Sequence, residues 1–420
     1  MGVGNNTVLR AYEQLLHEGY VNAERRRGLF VAKLDNSDWH VRTVAKRKDV
    51  KSRHVLSLAA KASIDLTDQV VDEKNFPIKE WRKCTNWALD NINFQYEGDN
   101  FTDPLKEHLA KYLFYSRGVI ATPERILIGS GSNSLLFWLA FVLRKTVSTI
   151  VFEEPCYSRT RHLFSEFDYA IKPITVNHHG IDLAKLYNQR ADLVYLTPSH
   201  QYPTGAAIPV SNRIRILNWA RRNKAYIIED DYDCEFRYKI NLMPSLQSLD
   251  KSNRVIYVGT FSNSIMPSLR VAYMVLPYGF PVDYRAYGYW TNTVPYITRK
   301  TLSNFMERGF WDRHLKKMRK LYQTKYEVCI SALKKLPANH IYYNDTPSGL
   351  NIFLRINTKY SEPQLIKRAL KNGIRITAAS DFYYDPKNQA GLPEVLFEFG
   401  NLNIGEIDNI VQRLYRSWFK

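Results

Sequence analysis

Short apolar runs that alternate with helical stretches dominate the sequence from about residue 64 onward. Each run suits one buried strand, and residues 211–223 are typical of the helical stretches between them. The predicted strands are 125–128, 149–152, 192–196, 225–228 and 254–258. This alternation predicts an α/β domain with a parallel sheet, in which ligands bind beyond the carboxyl ends of the strands.

The chain after about residue 282 has a different pattern. A long helix is predicted around residues 302–336, and a smaller α+β region follows it to Lys420. We therefore assign residues 64–281 to a large domain and residues 282–420 to the long helix with a small C-terminal domain.

The first 34 residues predict one short helix. Its apolar face is formed by residues at helical spacing, namely Val8, Tyr12, Leu15 and Leu16. Three polar residues, Asn5, Asn6 and Thr7, can cap the start of this helix, and Gly19 can end it.

A two-stranded ribbon is predicted after this helix. Its strands are residues 20–21 and 28–31, on either side of a turn over residues 22–27 with three arginines at its tip. Residues 35–63 are polar and basic without a clear period, which indicates a linker.

The charge of the chain is unusual for its size. Its 420 residues include 59 Lys and Arg against 41 Asp and Glu, a formal charge of +18. Such an excess favours contact with polyanions such as nucleic acid, although a basic surface can also serve solubility. No apolar run is long enough to span a bilayer, and the four cysteines fit neither a zinc motif nor a disulfide framework. We predict a cytoplasmic protein without a membrane partner or a metal site.

Polar clusters follow the predicted strands and together describe one pocket. Ser132 and Asn133 follow the first strand at a helix start that could hold a phosphate, although Gly-Ser turns are common. Tyr157 follows the second strand and could stack on a flat ligand, or could be a packed surface aromatic.

Three further clusters lie along the chain. The loop 197–205 is fixed by two prolines and a glycine. Residues 229–233 place acids at a buried strand end, where they would repel each other unless a cation lies nearby; a solvated acidic loop is the alternative. In segment 259–270, Ser262 and Arg270 could both reach a phosphate.

These segments carry a resemblance to a known family. Residues 64–420 resemble a fold type I pyridoxal-phosphate aminotransferase domain, and residues 1–34 resemble the end of a GntR-type winged helix. The combination resembles MocR/GabR-type transcriptional regulators. The most specific segments are Thr-Pro-Ser-His-Gln-Tyr-Pro-Thr-Gly at 197–205, Glu-Asp-Asp-Tyr-Asp at 229–233, residues 305–322, and Asn-Thr-Val-Leu-Arg-Ala-Tyr-Glu-Gln-Leu at 6–15.

The resemblance implies a role for each matching residue. Asp230 would face the pyridine nitrogen of pyridoxal phosphate, Tyr232 would bond the phenolic oxygen, and Tyr157 would stack on the ring. The phosphate would be held by Ser132, Asn133, Ser262 and Arg270. Tyr202 stands where many aminotransferases have an asparagine, so its contact with the ring is less defined.

The sequence departs from the family at its Schiff-base lysine. That position is Asn263, and no lysine occurs between Lys251 and Lys300. A carboxamide nitrogen is not nucleophilic and cannot shuttle the proton of transamination, so no catalytic residue is assigned. Asn263 could still hydrogen-bond a cofactor that is held non-covalently. The arginine that often grips the substrate carboxylate corresponds to Leu396.

The resemblance also assigns DNA contacts to the recognition helix and the wing. The expected contact residues are Asn5, Asn6, Thr7, Arg10, Arg25, Arg26 and Arg27. A winged helix needs two helices before its recognition helix. Because the given sequence begins just before that helix, we expect a partial winged helix with weakened DNA binding.

Three interpretations stay open at this point. The first is a homodimeric regulator that senses pyridoxal phosphate, an amine or an amino acid; the second is an active aminotransferase; the third is a decayed relative. The basic charge and Asn263 favour the first.

Overall fold

The computed structural model describes residues 4–33, 64–67, 71–93, 103–238, 243–283, 286, 293–386, 389 and 391–420. The chain divides into two compact units, residues 1–60 and 61–420. The predicted linker, residues 35–63, lies outside the described residues.

The N-terminal unit contains one helix and one hairpin. Its elements are α1 (Asn5–His17), β1 (Val21–Glu24) and β2 (Gly28–Val31). The predicted caps were wrong: Asn5, Asn6 and Thr7 lie inside the first turn, and Gly4 occupies the N-cap without a side-chain hydrogen bond. The turn is also shorter than predicted, because residues 22–24 pair with β2.

The second unit is built on a mixed sheet of eight strands. Its strands are β4 (Ile126–Gly129), β5 (Thr149–Glu154), β6 (Ala170–Asn177), β7 (Gly180–Ile181), β8 (Leu193–Leu196), β9 (Tyr226–Asp230), β10 (Val255–Thr260) and β11 (Ala272–Val275). Their order is β4-β11-β10-β9-β8-β5-β6-β7. The central strands β10, β9, β8, β5 and β6 run parallel. Of the five predicted strands, four belong to this parallel set, whereas the strand predicted at 125–128 is β4, which lies at the sheet edge and pairs antiparallel with β11. Strand β6 is not among the predicted strands.

Helices cover both faces of this sheet. Those that precede or connect its strands are α2 (Ile78–Asp90), α3 (Pro104–Arg117), α4 (Ser132–Leu143), α5 (Ser158–Glu166), α6 (Leu183–Tyr187), α7 (Val210–Asn223) and α8 (Leu246–Leu249). In β5, Ile150 and Phe152 join one apolar cluster whereas Val151 joins another. The strands are apolar throughout because successive side chains enter cores on opposite faces.

A second sheet forms the C-terminal region. Its strands are β3 (Ile64–Leu66), β12 (Ile341–Tyr343), β13 (Asn351–Ile356), β14 (Ile374–Ala378) and β15 (Glu394–Glu398), in the order β12-β13-β15-β14-β3. β3 pairs in parallel with β14. This differs from the predicted large domain starting at residue 64, because a three-residue strand carries no signal of its distant partner.

The predicted long helix is two helices. The helices of this region are α9 (Tyr296–Glu307), α10 (Phe310–Lys334), α11 (Glu362–Lys371) and α12 (Ile404–Phe419). The break falls at Gly309, whose φ of 65° is left-handed and therefore suits glycine. Among the described residues, no helix combines the length and the apolar character that a membrane span requires.

A buried ion pair joins α3 to the end of the sheet. Nε of Arg117 lies 2.6 Å from Oδ2 of Asp231, and both side chains are almost completely buried. The same guanidinium donates to Oγ of Ser199 and to the carbonyl of Met243. The guanidinium holds the pKa of the Asp231 carboxyl below its usual range despite burial.

We predict that Arg117→Met lowers the free energy of unfolding by about 3–5 kcal/mol, because it leaves the Asp231 carboxylate buried without its cation. Urea unfolding followed by circular dichroism measures this change. Arg375→Met is the control: Arg375 and Asp65 form a half-exposed pair at 2.9 Å, and its loss should cost about 0–1 kcal/mol. Equal losses in the two variants would contradict the prediction.

Candidate functional site

The predicted pocket residues lie at the carboxyl ends of β4, β5, β8, β9 and β10 and in the loops beyond them. Gly131, with φ of 92°, turns the chain between β4 and α4, and a Cβ at this position would clash with the guanidinium of Arg270. Nη2 of Arg270 lies 3.4 Å from the carbonyl oxygen of Ser130. The guanidinium therefore covers the turn that leads into the N-terminus of α4, where backbone N–H groups attract anions.

A cavity of about 510 Å³ opens beside this turn. Asn133 and Arg270 line it together with Ser130, Thr293 and a group of aromatic residues on α4. Ser132 begins α4. Ser262 lies after β10, where its hydroxyl is 3.0 Å from Oγ1 of Thr260. The site thus combines an arginine guanidinium, hydroxyl groups and the N-terminus of a helix. Such groups suit a phosphate.

Aromatic rings form a second part of the site. The ring of Tyr202 lies 5.9 Å from that of Tyr157 and 5.8 Å from that of Tyr232, both edge to face. Leu396 is completely buried and packs in the same cluster. The three predicted tyrosines are therefore neighbours, and the position that corresponds to the family arginine is apolar.

The acidic run at the end of β9 is buried, so the interpretation as a solvated loop was wrong. Glu229 accepts hydrogen bonds from the backbone N–H groups of Leu246 and Gln247. Asp231 pairs with its arginine, and Oδ2 of Asp233 lies 2.7 Å from Nδ1 of His200. These three carboxylates each have a cation, an imidazole or backbone amides as partners.

Asp230 differs from the other three acids. Its carboxylate accepts a short hydrogen bond from the neutral hydroxyl of Tyr195. Burial raises the pKa of Asp230 to about 7, and the neighbouring carboxylates of Asp231 and Asp233 act in the same direction. Within the described part of the chain, this hydroxyl is the only donor to the Asp230 side chain. A buried carboxylate in such surroundings is suited to accept a cationic or N–H group from a ligand.

Asn263 is 5% exposed and lies next to Tyr232. Its Nδ2 donates to the backbone carbonyl of Tyr232 at 3.2 Å. A small cavity here is lined by both residues together with Asp233, Asn351 and Glu398. The Asn263 amide therefore supports the segment after β9.

The groups of this site can be compared with those of pyridoxal phosphate. The buried Asp230 suits its pyridinium nitrogen, the tyrosine rings suit its flat apolar faces, and the turn under Arg270 suits its phosphate. The residues present fit the group, with Asn263 in the place where covalent attachment would need an amine.

Sequence reasoning missed two members of the site. Tyr195 lies in the predicted buried strand 192–196, where its hydroxyl is the only signal of a role at the site. His200 belongs to the predicted loop 197–205, but the sequence does not show that it meets Asp233 across 33 positions.

The predicted DNA contacts all lie in the N-terminal unit and are exposed. Asn5, Asn6, Thr7 and Arg10 are on α1, and Arg25, Arg26 and Arg27 form the hairpin turn. Arg27 also pairs with Glu24 at 2.9 Å. The turn thus presents three arginines to solvent, one of which has an acidic neighbour.

The fold is similar to that of several solved aminotransferase structures. The chain is similar to Pyrococcus horikoshii kynurenine aminotransferase, with a TM-score of 0.78 and 21% identity over 91% of this chain and 97% of that one. It is also similar to LysN, the α-aminoadipate aminotransferase of Thermus thermophilus, with a TM-score of 0.76 and 23% identity over 88% and 95% of the two chains. The second unit has the fold type I architecture of pyridoxal-phosphate aminotransferases.

Similar sequences identify the protein family more narrowly than the fold does. The family model for aminotransferase class I and II matches residues 67–391. The HTH-type transcriptional regulator YdeL of Bacillus subtilis is 35% identical over all of this chain and 89% of its own length. The probable rhizopine catabolism regulatory protein MocR of Rhizobium meliloti is 27% identical over 93% of this chain and 82% of its own length. The chain belongs to the aminotransferase class I and II family, and within it to the MocR-type HTH transcriptional regulators of the GntR superfamily.

We predict that Asp230→Asn stabilises the ligand-free protein at pH 8 by about 2 kcal/mol and changes it little at pH 4. The raised pKa penalises the carboxylate, so stability falls as pH rises from the unfolded pKa of 3.8 to about 7. The asparagine keeps an acceptor for Tyr195 without the charge. Thermal unfolding at both pH values measures the effect.

The exposed Asp90→Asn is the control and should show no such pH dependence. Destabilisation by Asp230→Asn at pH 8 would mean that its carboxylate already has a favourable partner in the ligand-free protein.

Proposed function

We propose that this chain is a DNA-binding regulator whose aminotransferase-like domain binds pyridoxal phosphate, or a closely related effector, without a covalent bond. The observation that carries the proposal is Asn263, whose amide donates to the Tyr232 carbonyl beside a buried Asp230. The surroundings suit the cofactor, whereas the amide cannot supply the amine that transamination needs. An active aminotransferase is therefore the weaker candidate.

In this proposal, each group holds one part of the cofactor. Asp230 faces the ring nitrogen, Tyr232 faces the phenolic oxygen, and Tyr157 and Tyr202 enclose the ring. The phosphate is held by Ser132, Asn133, Ser262 and Arg270. When bound, the cofactor supplies an electron-withdrawing ring and an aldehyde that reacts with amines. An amine or amino-acid effector would then be recognised at the same site.

Regulation would follow from linkage. An effector that binds one conformation of the large unit more tightly shifts the population toward it. In a homodimer, this shift would change the separation of two N-terminal units and hence their fit to DNA. The exposed arginines at the β1–β2 turn supply phosphate contacts for this purpose.

We predict that the protein binds pyridoxal phosphate saturably and that Asn263→Lys restores covalent attachment. After borohydride reduction, intact-mass spectrometry should show the cofactor mass on the lysine variant and not on the parent. Asp230→Ala and Arg270→Ala should each weaken binding about tenfold or more, because they remove a charge-assisted contact. The control Asp90→Ala should bind normally. Unchanged affinity in both site variants, or no binding by the parent, would contradict the assignment.

We predict weak DNA binding with a strong dependence on salt. Replacing Arg25, Arg26 and Arg27 together by glutamine should reduce the slope of log K against log salt by about 2–3, because up to three phosphate contacts are lost. Fluorescence anisotropy with duplex DNA at several salt concentrations gives the slope. A control variant removes equal charge from exposed positions on α10, namely Lys316, Lys317 and Lys320. Equal effects of the two variants would contradict a specific role for the turn.

A further inference from the structure

The exposed face of α7 carries only basic charge. Between Asp192 and Glu229 the sequence contains no acidic residue. Four exposed cations lie along α7 and just beyond its end, and we call them the α7 basic stripe: Arg215, Arg221, Arg222 and Lys224. In the described part of the chain, none of these four side chains forms an ion pair with a carboxylate.

The stability of the fold does not account for the whole stripe. Arg213, on the buried face of the same helix, donates to three backbone carbonyl oxygens and so supports the core. Arg221 and Arg222 lie in the last turn, where cations stabilise the end of a helix. Arg215 lies in the middle of the helix, where that effect is absent. Its exposed charge therefore needs another explanation.

Two arginines of the stripe contact one aromatic ring. Cζ of Arg215 lies 5.8 Å from the ring centroid of Tyr187 on α6, and Cζ of Arg222 lies 6.0 Å from it. Oη of Tyr187 also donates to the backbone carbonyl of Arg215 at 2.9 Å. The two arginines are two turns apart, which is about 10 Å along the helix axis. Cation–π contacts with the shared ring thus hold both guanidinium groups on one face.

A polyanion with closely spaced charges fits such a face. Double-stranded DNA carries one negative charge per about 1.7 Å of its axis, and guanidinium groups bind phosphate oxygens well. A membrane surface is the other common polyanion. A helix that lies on a membrane inserts its apolar face into the lipid, whereas in α7 Ile216, Trp219 and Ala220 are buried in the core against the sheet. The charge and the packing of α7 therefore favour DNA.

We propose that the α7 basic stripe is a second DNA-binding surface, which contacts the phosphate backbone and does not read bases. It belongs to the second unit of the chain, whereas the contacts proposed above belong to the N-terminal unit. Phosphate contacts of this kind add affinity and fix orientation without adding sequence information. The inference rests on the proposed function for DNA as the partner and deepens it by assigning DNA contacts to the aminotransferase-like unit.

The test measures binding of the full chain to duplex DNA by fluorescence anisotropy at several salt concentrations. The test variant combines Arg215→Gln, Arg221→Gln and Arg222→Gln. It should reduce the slope of log K against log salt by about 2–3, because up to three phosphate contacts are lost. The same three positions changed to lysine should keep the slope of the parent, since an ammonium group also neutralises a phosphate.

Two further variants serve as controls. The glutamine variant of α10 at Lys316, Lys317 and Lys320 removes the same charge and should change the slope by less than about one, because charges that do not contact phosphates displace few counterions. When the α7 variant is combined with the glutamine variant of the β1–β2 turn, the two reductions should add to about 4–6, since the surfaces contact separate phosphates. Circular dichroism of each variant should match that of the parent, because the replaced side chains are exposed.

The contrary outcomes are distinct. A parent that does not bind DNA overturns the proposed function. A slope that falls in the β1–β2 turn variant and stays unchanged in the α7 variant overturns the inference alone. Equal reductions in the α7 and α10 variants would show that only net charge matters, and would also overturn it. Loss of binding to phosphatidylglycerol vesicles with unchanged DNA binding would assign the stripe to a membrane surface instead.

Discussion

The buried acidic run at the end of β9 is the feature on which the arrangement of the second unit depends most. Four carboxylates within five residues are buried at one strand end, and each needs its own compensation because water is excluded. Arg117 reaches Asp231 from α3, backbone amides reach Glu229, and His200 reaches Asp233. From the residues that the structure describes, Asp230 receives only the hydroxyl of Tyr195. The other three carboxylates have an arginine, an imidazole or backbone amides as partners, and Asp230 does not. This difference is the strongest physical argument for a ligand beside Asp230.

The loop 197–205 provides hydrogen-bond partners for several buried charged groups. Ser199 accepts a hydrogen bond from the Arg117 guanidinium, and His200 pairs with Asp233. Thr197 donates both its backbone N–H and its hydroxyl to Glu153, whose pKa burial raises to about 7. The same loop carries Tyr202 into the aromatic cluster. A single loop thus couples the partners of the acids to the walls of the site, which explains why its path is fixed by prolines and a glycine.

Much of this arrangement could be predicted from the sequence, and the limits have physical causes. The apolar runs predicted β4, β5, β8, β9 and β10 because their successive side chains are buried on both faces, whereas β6 is only partly buried and has no such run. The exact partners of the acids could not be predicted, since Arg117 and Asp231 are 114 positions apart and nothing local links them. The pairing of β3 with β14 was hidden for the same reason. The break at Gly309 was missed because apolar spacing continues on both sides of it.

Asn263 separates binding from catalysis at this site. Binding needs complementary charge and shape, which Asp230, the tyrosine rings and the turn beneath Arg270 provide. Catalysis needs in addition a group that attacks and moves protons, and an amide bonded to a backbone carbonyl supplies neither. A regulator needs only a difference in ligand affinity between two conformations. Under the proposed function, Asn263 removes the chemistry and leaves the binding that sensing requires, in agreement with the similarity to HTH-type transcriptional regulators along the whole chain.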